Sequence, residues 1–115
     1  MHIIDEIKAG VQLEIRPSSK GLEYLEAVVL KKDLPQLTSI LTNCFLKAAK
    51  EPGKKAKFSP RIQEIVESFG GLRLEQSFYC KEDGDTVLYA ALWPWQSDPE
   101  RITLKVGTFS KKETQ

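Results

Sequence analysis

The chain has 115 residues, 41% of them hydrophobic and 29% charged, with a formal net charge of +1. That length suits one domain able to bury a core without a disulfide or metal staple, and the composition excludes a disordered chain. The near-neutral balance excludes the broad basic excess of a typical nucleic-acid-binding domain, so a polyanion site would have to come from local clustering.

Residues 1–115 read as a single globular unit, with a short helix or flexible start over 1–10 and a flexible tail over 110–115. Within that start, Ile3, Ile4 and Ile7 fall on one side of a helical turn over 3–9, and Gly10 is its stop. Asp5 and Glu6 stand where a signal peptide would run apolar, and no stretch reaches the run of about 18 apolar residues of a membrane-spanning helix. With only Cys44 and Cys80 as thiols, the expectation is a complete, unexported chain in a reducing cytoplasm, with no membrane partner.

Residues 11–16 alternate, Val11, Leu13 and Ile15 against Gln12, Glu14 and Arg16, which predicts a half-buried strand. The run 17–21, Pro-Ser-Ser-Lys-Gly, reads as a turn. Residues 22–31 suit either element. Leu22, Leu25 and Val29 fit helical spacing, while the run Ala27-Val28-Val29-Leu30 after a turn favours the strand, which is the reading adopted.

Asp33 with Gln36 three residues on predicts a capped helix start, and Pro35 suits the first turn because its missing N–H has no helical partner there. Leu37, Ile40, Leu41, Cys44, Phe45 and Ala48 make its apolar stripe. Lys47 and Lys50 lie near its negative end, and Pro52-Gly53 is its stop. Ser59-Pro60 opens a second helix with Ile62, Ile65, Val66 and Phe69 inward, ended by Gly70-Gly71. Three strands follow, over 72–80, 86–93 and 101–109. Asp83-Gly84 marks a hairpin, and the middle strand is apolar on both faces and therefore interior. Pro94 ends its regular pairing.

The order β-β-α-α-β-β-β predicts an α+β, two-layer fold with one antiparallel five-stranded sheet and two helices packed on one face. This order resembles that of profilin-like, roadblock-like and PAS-like domains. The resemblance is one of topology, includes no residue motif, and implies a scaffold that hosts sensors, scaffolds and dimerisation modules alike.

Candidate chemistry is sparse, and no catalytic residue, metal ligand set or cofactor is assigned. His2 is the only histidine and sits at the terminus, so a nucleophile–histidine pair would have to recruit it. Cys44 lies on an apolar helix stripe as a small hydrophobe. Cys80 adjoins Lys81, which would lower its pKa slightly, and a bond between the two cysteines is left open. The acids of 82–85 form a hairpin tip too short for a calcium loop, and Gly70-Gly71 follows a helix where a phosphate loop would precede one.

Two surfaces stand out. Val87, Tyr89, Ala91 and Trp93 form one row of the interior strand; Trp95 extends it and Tyr79 joins it from the neighbouring strand. On an uncovered sheet face this row would serve self-association or a protein partner. The loop with Asp98, Glu100 and Arg101 follows directly, so an enzyme or small-molecule sensor with a site near Trp93–Arg101 is the alternative. Lys47, Lys50, Lys54, Lys55, Lys57 and Arg61 cluster as a second surface for weak polyanion binding. Nucleic acid is not an expected partner, because only Phe58 offers a nearby ring for base stacking.

Overall fold

The first helix, α1 (Ile3–Gly10), is capped by His2, whose Nδ1 accepts from the Ile4 N–H at 3.1 Å. The structure is a computed structural model that describes residues 2–68 and 70–110. Phe69, assigned an inward position by the sequence, and the tail beyond residue 110 lie outside the described residues. Ile3, Ile4 and Ile7 are buried, as their spacing predicts.

Strand β1 (Glu14–Ile15) is shorter than the 11–16 expected. Val11 is buried and Leu13 half-buried, but Ile15 is exposed. Arg16 donates one further backbone bond to the Glu26 carbonyl, and Pro17, lacking an N–H, follows. Strand β2 (Tyr24–Leu30) settles the ambiguous segment in favour of the strand.

A 3-10 turn (Lys31–Asp33) leads into α2 (Leu34–Phe45). The predicted Asp33 cap does not form. The Lys31 carbonyl already takes the Leu34 N–H, and the Asp33 carboxylate faces Lys32 Nζ at 3.4 Å instead. Helix α2 also stops at Phe45, well before Pro52-Gly53. Leu46 reverses the chain at φ +74°, a region that side chains rarely adopt, and Lys50 then pairs with Phe78 through backbone bonds of 3.0 Å in each direction.

Helix α3 (Pro60–Ser68) starts as read, with Ser59 Oγ accepting from the Ile62 N–H at 3.4 Å. It ends in a Schellman motif: Gly71 donates to Val66 O and Gly70 to Glu67 O, both at 3.0 Å and both glycines at positive φ. Strands β3 (Ser77–Asp83), β4 (Thr86–Pro94) and β5 (Arg101–Ser110) complete the sheet. β3 begins five residues later than the 72–80 expected, because Arg73–Gln76 form a turn closed by Arg73 N–H to Gln76 Oε1 at 2.7 Å.

The fold is the α+β class expected, with one five-stranded sheet in the order β1-β2-β5-β4-β3 and every neighbour antiparallel. Two helices do share one face, but the pair is α1 with α2. Leu37, Leu41 and Phe45 pack there with Leu25, Val29, Leu92 and Leu104. Helix α3 lies against the opposite face, on Phe78, Val87, Tyr89 and Ala91. The reason is in β4, which is buried on both sides and so needs cover on both.

Candidate functional site

The aromatic row does not form a single surface. Tyr79 pairs with Ala90, so it faces α2, its ring 5.8 Å from that of Phe45. Tyr89 is buried beneath α3 on the other face. Trp93, half-buried, packs against the α3 cluster, whereas Trp95, also half-buried, lies with Thr103 and Arg101.

Helix α3 packs over β3, β4 and Phe109 of β5, and among the described residues no helix packs over the rest of the β2–β5 half of its face. The register puts Tyr24, Glu26, Val28 and Leu30 of β2 beside Gly107, Lys105, Thr103 and Arg101 of β5 there. Lys105 Nζ stands 5.1 Å from the Trp93 ring centroid and the Arg101 guanidinium 5.8 Å from that of Trp95. Trp95 Nε1 donates to Thr103 Oγ1 at 2.8 Å. Of these residues, only Trp93, Trp95 and Arg101 were candidates in the sequence; Tyr24, Glu26, Val28, Leu30, Thr103, Lys105 and Gly107 were missed. The alternation over 24–30 does carry the signal, since it sets Tyr24, Glu26 and Val28 opposite the apolar Leu25, Ala27 and Val29.

Glu26 accepts from Tyr24 Oη at 2.9 Å and Ser18 Oγ at 3.0 Å. Burial pushes its carboxyl up, but these two bonds and the charges of Lys105 and Arg16 outweigh it and hold the pKa below the ordinary value. Gly107 separates two rings: a Cβ there would lie 2.9 Å from Tyr89 Oη and 3.1 Å from Tyr24 Cδ1.

The loop after β4 closes on itself. Arg101 Nη1 meets Asp98 Oδ2 at 2.6 Å, and Asp98 Oδ1 accepts the Glu100 N–H at 3.1 Å. Trp95 N–H donates to Arg101 O and Arg101 N–H to Asp98 O. Trp93 and Arg101 line different depressions, one of about 320 Å³ with Arg73 and Gln76, the other of about 220 Å³ with Gln12 and Val28.

The basic run is divided as well. Lys50 is only 5% exposed. Its ammonium donates to the carbonyls of Gln76 at 2.6 Å, Leu74 at 2.8 Å and Glu51 at 3.2 Å. Arg61 clamps α3 to the hairpin through Glu82 Oε1 at 3.3 Å and Gly84 O at 2.9 Å. Lys54, exposed, pairs with Glu51, and Lys47, Lys55 and Lys57 are exposed and in no ion pair among the described residues. Beside Lys50, a cavity of about 440 Å³ opens between the 50–58 loop, α3 and residues 71–74.

Cys44 packs on the α1 face and Cys80 on the α3 face, so the sheet separates the two free thiols. Burial pushes both thiols up, at Cys80 with the help of Glu82; the lowering by Lys81 expected at Cys80 acts instead on Cys44, where burial outweighs it. No group of three metal-ligating side chains occurs among the described residues, and no helix there is long and apolar enough to cross a membrane.

The three tyrosines share one behaviour. Burial is the first cause that raises the pKa of Tyr24, Tyr79 and Tyr89, with Glu26 adding to it at Tyr24 and Glu51 at Tyr79. The neutral phenol is therefore favoured by folding. Its stabilisation is fully present below the unfolded pKa of about 10 and is lost as pH rises through the raised values. Phenolate absorbance is expected to lag behind the free tyrosine curve and to grow only as circular dichroism reports unfolding. One tyrosine ionising near pH 10 (about its free value) in an intact fold would contradict this.

No protein-family model, curated protein or solved structure matches this chain.

Proposed function

We propose that this chain is a non-catalytic binding module that associates with a second copy of itself through the β2–β5 half of the α3 face. The observation that carries the reading is one-sided cover: among the described residues α3 packs over β3, β4 and the Phe109 end of β5, beside a strip of β2 and β5 that mixes aromatic and charged side chains. Glu26 and Lys105 are cross-strand neighbours on that strip. A two-fold axis along the boundary between β2 and β5 lays Glu26 of one copy over Lys105 of the other, the self-complementarity that an isologous interface requires. Tyr24 and Trp95, both half-buried, supply its aromatic part. A catalytic role has less support, since His2 caps α1 and burial disfavours both thiolates.

Sedimentation over a range of concentrations tests the reading. The expected result is a reversible dimer weakened by salt. Lys105→Glu and Glu26→Lys should each be monomeric, because they oppose like charges, and an equimolar mixture of the two variants should dimerise again. A strict monomer at the highest soluble concentration would overturn the proposal, as would a dimer indifferent to Lys105→Glu.

A further inference from the structure

We propose that the cavity under α3 binds a small amphipathic monoanion, a carboxylate carried on a compact apolar body. Its volume of about 440 Å³ falls in the range of small-molecule sites. Phe58, Val66, Leu72 and Leu74 supply its apolar lining. Among the described residues that line it, the charged ones are Lys50 and Lys55, Gln63 is the remaining polar side chain, and none is a carboxylate.

The two lysines differ in role. The Lys50 ammonium is held by three carbonyls, so its hydrogens are committed and it acts on a ligand as a fixed positive charge. Lys55 is exposed on the 50–58 loop and takes part in no ion pair among the described residues. Its ammonium is the group able to donate to the carboxylate. Glu75 acts on Lys50, so Lys55 is the lining cation that selects an anion, and the aliphatic and aromatic lining selects an apolar body over a hydrated inorganic ion. This site is separate from the proposed dimer strip: none of its lining residues belongs to β2 or β5.

Octanoate, 1-octanol and inorganic phosphate are suitable probes, read by amide chemical shifts in the intact protein. Octanoate is expected to shift residues of 55–58, 62–66 and 71–74 saturably, with 1-octanol at least about fivefold weaker and phosphate without effect at these amides. Lys55→Gln, an exposed loop change, should weaken octanoate about two- to fivefold, the range of one solvent-exposed ion pair, and leave 1-octanol unchanged. Equal affinity for octanoate and 1-octanol would overturn the proposal. So would shifts confined to the β2–β5 strip, or an octanoate affinity unchanged in Lys55→Gln.

Discussion

Replacing Phe78 by Ala is expected to destabilise the fold by about 3–5 kcal/mol, the usual effect of emptying a buried aromatic site. Phe78 heads the fully buried side chains. Its ring meets Phe58 edge-on at 5.9 Å and stacks on Tyr89 at 6.4 Å, beneath Ile65 and Val66 of α3. The loss would take a large share of the roughly 5–15 kcal/mol that holds a domain of this size together. Because the α1 face has its own cluster around Leu41 and Leu104, the damage should be uneven. Urea unfolding should show the lower midpoint, and hydrogen exchange should quicken in α3 before α2. A change below about 1 kcal/mol would mean that α3 contributes little to the fold.

Lys50→Met is expected to cost about 2–3 kcal/mol, from charge-assisted hydrogen bonds lost at a buried site. Methionine keeps the apolar stem and removes the ammonium that joins Glu51, Leu74 and Gln76. Burial lowers the Lys50 pKa, with the Glu75 carboxylate opposing, yet three carbonyl acceptors surround the charged form. Arginine should not substitute, since no nitrogen of its planar fork carries three hydrogens to reach three carbonyls around one point. The effect should be local. Gly53 donates to Leu74 O at 2.7 Å, so its amide is expected to exchange faster in the variant. Unchanged exchange at Gly53, together with an unchanged denaturation midpoint, would show that the contact adds nothing.

The same lysine shows where a sequence stops informing. In the run from Lys47 to Arg61 every cation looks equivalent, because charge is a property of the residue and burial is not. Lys50 is buried because Leu46 turns the chain and sets it along β3, a pairing with Phe78 that spans 28 positions. Tyr79 and Tyr89 differ for a similar reason. Alternation separates neighbours within one strand, but the face that Tyr79 shares across strands depends on its register with Ala90.

Local order was legible. The Ser59-Pro60 start of α3, its Gly70-Gly71 end, the reversal near Gly84, the Tyr24–Leu30 strand and the burial of Ile3, Ile4, Ile7, Leu37, Leu41, Phe45, Ile62, Ile65 and Val66 all follow from contiguous residues. Periodicity, caps and turns need only a few neighbours to act. The apolar character of β4 on both sides was legible too, and it required cover on two faces without naming the helix for each. Only the tertiary structure decided that α3 covers one half of its face and leaves Tyr24, Glu26 and Lys105 beside it. That outcome depends on where a nine-residue helix comes to rest on a five-stranded sheet, which is set by contacts between residues far apart in the chain.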